Sequence, residues 1–291
     1  MVQRLSRAVR EGLVYGVLLV SPSAYALAAT PPSGVAQLSS PETLVPQAQI
    51  ALPPLEQGDV YGPMRLSADG STLLISAVGE DCSAGPSCGA VYVLTQRFGT
   101  WTQEARLVAA DPSAIDLFGN SVALTSEGGT VLVGAWQQDC AKGPECGAVY
   151  VFTRGADGAW SGSQKLLPSQ IEAFDYFGAS VAISGDGATA LIGAFGASCA
   201  NGIPGCGTVY VFVRSGASWI EAGEIPAPIG FFKESFGSNI ALSRDGQTAL
   251  ILANVFGLAP SSVFAFRRSG GNWILEAQID APIPATFYWV E

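Results

Sequence analysis

The chain has 291 residues, 48% hydrophobic and 13% charged, which excludes a disordered body and leaves room for one large all-β domain or two ordinary ones. Its 35 glycines suit many short strands joined by tight turns, and a formal net charge of −10 argues against a nucleic-acid partner. There is no histidine, so a Ser-His-Asp or Cys-His nucleophile system is impossible.

Residues 1–28 have the layout of a secretory signal peptide. Arg4, Arg7 and Arg10 form the basic start, "GLVYGVLLV" the apolar core, and Ala24-Tyr25-Ala26 or Ala26-Leu27-Ala28 the small-x-small cleavage choices. The apolar core is too short for a stable membrane anchor, so no membrane span is expected after cleavage. Residues 29–44 read as a Pro/Ser-rich linker. "AQI" at 48–50 reads as an outer strand with no blade before it.

From Tyr61 onward one pattern returns four times. An aromatic-Gly pair begins each copy at Tyr61, Phe118, Phe177 and Phe236, and a Trp recurs at Trp101, Trp160, Trp219 and Trp273. Each copy predicts four strands. The first two flank a hairpin turn at Asp69-Gly70, Gly128-Gly129, Asp186-Gly187 and Asp245-Gly246, pairs that favour positive φ. The third, "GAVYVF" in the second copy, is apolar on both faces and is expected to be covered on both. The fourth starts at the Trp and mixes charge with apolar residues, as an outer edge does.

A small sheet apolar on both faces must pack between copies of itself. The predicted fold is therefore an all-β β-propeller of about four four-stranded blades, at about 61–107, 118–166, 177–225 and 236–279 within a domain spanning 45–291. The apolar residue closing each outer strand stands eleven positions before the next aromatic: Ile50, Leu107, Leu166 and Ile225. Ile279 would place another repeat at 290, so a small or incomplete ring is expected, with self-association as a consequence.

The phrase "FGxSVAIS…TALIGA…GAVYVF" resembles the FG-GAP repeat, the blade unit of the integrin α-chain head, in the form common in secreted bacterial proteins. The resemblance covers about 61–279 and is closest over 118–160 and 177–219. It implies a propeller working outside the cytoplasm, in adhesion or recognition. In the integrin form the hairpin turn carries a calcium loop with several acids at alternate positions. Here "SADGST", "TSEGGT", "SGDGAT" and "SRDGQT" hold one acid each, too few for calcium, and no metal or cofactor is expected.

Six cysteines lie in three loops between the second and third strands: Cys82 and Cys88, Cys140 and Cys146, Cys199 and Cys206. Disulfides within each loop, a metal site and a redox pair are the alternatives. An exported chain favours disulfides, and the Gly-Pro or Pro-Gly between each pair can turn the chain back. The fourth copy lacks both cysteines and has a shorter loop, as a local staple predicts. Zinc would want closer spacing, and thioredoxin-type redox pairs are C-x-x-C.

Asp59, Asp116, Asp175 and Glu234 each precede an aromatic-Gly pair by two residues. They read as turn caps, or else as carboxylates converging for glycoside hydrolysis. The repeated Trp reads as a residue packed between blades, or else as a sugar-stacking row. No phosphate loop or dinucleotide fingerprint is present. The expected function is a secreted or surface-exposed module, not an enzyme, binding an extracellular protein or glycan through the stapled loops at 79–89, 137–147 and 196–207. The alternatives are a carbohydrate hydrolase using Asp116 and Asp175, and a structural spacer.

Overall fold

The computed structural model describes residues 50, 60–198, 204–228, 235–254 and 261–280. The chain divides after Gln47, and the described residues all belong to the second unit, 48–291. The signal-peptide and linker expectations therefore lie outside the described residues, as do Asp59, Cys199 and Glu234.

Sixteen strands form four antiparallel sheets of four, each in simple up-and-down order. The first holds β1 (Tyr61–Leu66), β2 (Thr72–Ala77), β3 (Ala90–Arg97) and β4 (Thr100–Leu107). The second holds β5 (Ser121–Leu124), β6 (Thr130–Ala135), β7 (Ala148–Arg154) and β8 (Trp160–Leu166). The third holds β9 (Phe177–Ile183), β10 (Thr189–Ala194), β11 (Thr208–Ser215) and β12 (Ser218–Pro226). The fourth holds β13 (Phe236–Leu242), β14 (Thr248–Ala253), β15 (Ser262–Ser269) and β16 (Asn272–Asp280).

These sheets are propeller blades. Their inner strands contact one another in sequence, β1 with β5, β5 with β9 and β9 with β13. No contact of that extent joins the fourth blade to the first among the described residues. The third strands of the first three blades are buried on both faces, as their two-sided apolar pattern predicts: in β7 the five residues Ala148–Phe152 are all buried, whereas in β15 Val263 and Ala265 on one face are half-buried.

Between blades the core repeats. Leu107 packs with Phe118 and Val133, Leu166 with Phe177 and Ile192, and Ile225 with Phe236 and Ile251. Ile50 takes the same place against the first blade, beside Ile75 and Tyr92. Among the described residues no blade covers Ile279, which is 57% exposed where Ile225 is 2% exposed. Trp160, Trp219 and Trp273 join these inter-blade clusters and Trp101 joins the cluster of Ile50 on the first blade, so they are packing residues and do not form a sugar-stacking row.

The aromatic-Gly pair and the Cys-Gly pair that ends each stapled loop explain each other. Phe177 is fully buried, and its N–H donates to the Cys146 carbonyl at 2.8 Å. Phe118 does the same to Cys88 and Phe236 to Cys206, both at 3.0 Å. The glycine after each cysteine lies against the same aromatic residue's backbone. A Cβ on Gly147 would stand 2.0 Å from the Phe177 carbonyl oxygen, and one on Gly89 would stand 2.0 Å from that of Phe118. Gly178, after the aromatic, also sits tightly: its carbonyl accepts from the Ser121 hydroxyl at 2.7 Å and lies where a Cβ on Gly134 would fall.

Candidate functional site

The loops between second and third strands emerge at the same end of the blades as the loops that lead into each inner strand. Together they make the loop face. Cys82–Cys88 and Cys140–Cys146 are at disulfide distance, with Cα atoms 5.8 Å apart in both. Cys206 is also disulfide-bonded.

The stapled loop has two limbs with different work. Its tip is exposed: Ser83, Ala84 and Pro86 in the first blade, Ala141, Lys142 and Pro144 in the second. Its returning limb is a docking strip for the next blade. Ile115 N–H donates to the Pro86 carbonyl at 2.8 Å, and Leu117 N–H donates to that of Ser87 at 3.2 Å. One blade on, Phe174 N–H reaches Pro144 at 3.0 Å and Tyr176 N–H reaches Glu145 at 3.2 Å. The second cysteine of each pair is buried at the root of that strip. The loops expected to present the contact surface are thus divided: the tip is exposed, and the returning limb is paired with the next blade. The limb nearer the third strand belongs to the blade interface: its carbonyls, from Pro86 to Cys88 and from Pro144 to Cys146, accept the next blade's N–H groups.

Inside each loop the backbone turns on itself. Cys140 N–H donates to the Gly143 carbonyl at 2.9 Å, and Gly143 N–H returns to Cys140 at 3.1 Å. Asp139 Oδ1 accepts from the Glu145 N–H at 3.0 Å, as Asp81 Oδ1 does from Ser87 at 2.9 Å.

Asp116 and Asp175 are both buried, and each closes its own lead-in loop. Asp116 Oδ2 accepts from the Ser113 N–H at 2.7 Å and from Gln138 Nε2 at 3.4 Å. Asp175 Oδ2 accepts from the Glu172 N–H at 2.7 Å. Burial pushes both carboxyls above the ordinary aspartate range against those hydrogen bonds. The neighbouring charges acting on Asp116 are Asp111 and Asp139, and that on Asp175 is Glu172, so the two carboxylates do not act on each other. This is the turn-cap arrangement.

A polar network beside Asp116 ties the first blade's exit to the second. Tyr150 donates to Asp111 Oδ1 at 2.6 Å, with Gln138 Oε1 at 2.8 Å, and Lys165 Nζ meets Asp111 Oδ2 at 2.7 Å. Burial acts to raise the Asp111 carboxyl, but the hydrogen bonds from Lys165 and Tyr150 leave it below its ordinary value.

The opposite end carries the hairpin turns. Ser126, Glu127, Gly185, Asp186, Ser243, Arg244 and Asp245 line an open cleft there. The aspartates are spent locally: Asp186 Oδ1 accepts from the Ser184 hydroxyl at 2.6 Å and from Ala188 N–H at 2.9 Å, and Asp245 repeats this with Ser243 and Gln247. Among the described residues no cluster of His, Cys, Asp and Glu is placed to hold a metal ion.

The feature missed in the sequence is a group of rings on the loop face. Tyr176 and Phe195 stack at 4.8 Å, with ring planes 18° apart. Trp136 leans on both, at 5.3 and 5.8 Å, and Phe174 lies 6.4 Å from Tyr176. The tool for finding it was available: aligning the residue after the second strand gives Val78, Trp136, Phe195 and Asn254, so the aromatic pair stands out.

Comparison with known proteins agrees with the repeat pattern. A search of curated proteins returns no match. Among solved structures the chain is similar to a periplasmic gluconolactonase of Pseudomonas aeruginosa, at 19% identity and a TM-score of 0.49, covering 77% of this chain and 58% of that one. It is also similar to a Lactobacillus plantarum protein, at 15% identity and a TM-score of 0.38, covering 71% of this chain and 67% of that one. The chain thus spans less than two thirds of the gluconolactonase's length. Residues 101–152 and 160–212 match the FG-GAP repeat family. With disulfide-bonded cysteines beside them, these repeats point to an extracellular or periplasmic protein. The chain carries FG-GAP repeats at 101–152 and 160–212 and has a β-propeller fold.

Proposed function

We propose that the chain is an exported recognition module that binds an extracellular protein or glycan with its loop face and catalyses no reaction. The observation that carries this reading is the double anchoring of the stapled loops. The tips of the first two loops are closed by a disulfide at the base and held along one limb by backbone hydrogen bonds to the next blade. A tip held this way loses little conformational entropy on binding, which is the physical advantage of a pre-organised contact surface. Burial and hydrogen bonding of Asp116 and Asp175 support a structural use of those carboxylates.

The test is a Cys140→Ser/Cys146→Ser variant, compared with the unmodified protein on arrays of purified extracellular proteins and glycans. Weaker binding, with the β circular-dichroism signal retained, is the expected result. Unchanged binding of every captured partner would remove the loop face from the contact.

A further inference from the structure

The repeat symmetry is broken at one place on the loop face. Four positions per junction are comparable: the residue after the second strand in each of the two blades, and those one and three before the aromatic-Gly pair. At the junction of the first and second blades they are Val78 followed by Trp136, with Leu117 and Ile115. At the third and fourth they are Phe195 followed by Asn254, with Ser235 and Lys233. Between the second and third every one is aromatic: Trp136, Phe195, Tyr176 and Phe174.

Packing does not require these rings, since the neighbouring junction is built with Val78, Leu117 and Ile115 in the same places. Nor is the backbone special. Phe174 and Tyr176 have φ of 66° and 58°, and Ile115 and Leu117 have 69° and 54°. What differs is the side chains and their access. Trp136, Tyr176 and Phe195 are partly exposed, and Phe174 is 51% exposed. Gly196 admits this lead-in loop: a Cβ there would fall 2.0 Å from the Phe174 carbonyl oxygen and 2.7 Å from Tyr176 Cδ2.

We infer that Trp136, Phe174, Tyr176 and Phe195 form a carbohydrate-stacking platform that binds the C–H face of a pyranose ring. This deepens the recognition reading proposed above and rests on it. An aromatic face is the negative pole of the ring quadrupole and attracts the polarised C–H groups of a sugar. Rings with two torsions each lose little entropy when covered. A sugar also needs hydrogen-bond acceptors at its edge, and the Glu145 carboxylate stands beside the Tyr176 phenol. Of the neighbouring tip residues, Ala141, Gly143 and Pro144 are compact, and the Lys142 ammonium pairs with Glu172 at 3.3 Å. A stable protein interface takes about 20–30 residues a side, whereas four rings match one to three sugar units.

Calorimetric titration with soluble cellohexaose, chitohexaose, xylohexaose and maltohexaose, each to about 10 mM, tests this. Saturable binding of at least one is expected. Trp136→Val and Tyr176→Leu install the residues that the neighbouring junction already tolerates, so they preserve the fold, and each is expected to weaken binding about tenfold or more. Phe174→Ala should do the same, while Ile115→Ala leaves the affinity unchanged. No saturable binding by any of the four sugars, or affinities indifferent to Trp136→Val and Tyr176→Leu, would overturn the platform. A protein partner that depends on these four rings would overturn the sugar assignment. A partner that needs the Cys140–Cys146 staple but ignores the ring variants would overturn the platform and leave the recognition reading standing.

Discussion

Gly147→Ala is the sharpest probe of how one blade grips the next. Gly147 has a φ of 85°, and its added methyl would lie 2.0 Å from the Phe177 carbonyl oxygen and 2.6 Å from the Phe177 nitrogen. An L-residue held at that φ costs about 1–2 kcal/mol. Displacing packed backbone adds about 1–3 kcal/mol, and weakening the Phe177 N–H bond to Cys146 adds about 1 kcal/mol. The total is about 3–6 kcal/mol. Gly158→Ala supplies the control: its φ is 84°, but the nearest atom, Glu104 Oε1, is 3.9 Å away. It should cost only the conformational part, about 1–2 kcal/mol. Both variants change the unfolded chain alike, so that contribution cancels in their comparison. Thermal unfolding followed by circular dichroism should place Gly147→Ala about 5–15 °C below Gly158→Ala, at about 2–4 °C per kcal/mol for a domain of this size. Equal midpoints would refute the claim that the glycine exists to admit the next blade's backbone.

Further outcomes follow from the same geometry. Ile225→Ala should destabilise by about 2–4 kcal/mol, because Ile225 is buried between blades. The repeat-equivalent Ile279→Ala should cost well under 1 kcal/mol from its exposed position, as denaturant midpoints would show. The Cys140→Ser/Cys146→Ser pair should lower stability by about 2 kcal/mol, the chain-entropy value for so short a loop, without changing the sheet signal. Asp175→Asn keeps an acceptor for the Glu172 N–H but has no charge to desolvate. The folded pKa of Asp175 is raised by burial, so its charge costs stability as pH rises through that value. The Asn variant should therefore lose less stability between pH 4 and pH 7 than the unmodified protein, and an unchanged pH difference would contradict the assignment. The hairpin aspartates act in the opposite sense. Asp69 is held down to about 2 by the Ser67 hydroxyl and the backbone and side chain of Ser71. Its contribution is present above the unfolded value and lost as acid protonates it, so Asp69→Ala should flatten the acid limb of the thermal profile.

The propeller was legible because its two signals are local and repeated. Aromatic-Gly pairs mark the blade starts, and third strands such as Ala148–Phe152 are apolar on both sides and can be satisfied only by sheets above and below. The inter-blade Trp role was legible for the same reason. The gripping of Phe177 by Cys146 and Gly147 was not, because it joins backbone atoms about thirty residues apart. Nothing in "CGA" or "FG" alone says that one carbonyl will sit over the other's glycine. The division of the stapled loop into tip and docking limb was not legible for the same reason: Pro144 and Glu145 look like any polar turn until the partner N–H groups of Phe174 and Tyr176 are placed. Asp116 and Asp175 were readable as caps from their position before a turn, while their burial depends on the neighbouring blade.

Repetition itself separates stability from recognition on the loop face. Positions that dock blades must satisfy the same geometry at every junction, and they do: buried Phe118, Phe177 and Phe236 meet Gly89, Gly147 and Gly207 each time. Positions released from that duty are free to differ, and they differ together at one junction. Val78, Leu117 and Ile115 fill their places adequately, so the rings of Trp136, Tyr176, Phe195 and Phe174 add exposed apolar surface that docking does not need. Exposed aromatic surface without a ligand costs solubility, which gives it a physical reason to be covered in use. A swap makes the argument concrete. Introducing Val78→Trp, Leu117→Tyr and Ile115→Phe at the first junction should create a second platform there beside the existing Trp136. If the rings alone define the site, calorimetry should then find two sugar equivalents bound per chain. A stoichiometry that stays at one, with the fold intact, would mean that Glu145 and its loop contribute what the rings cannot.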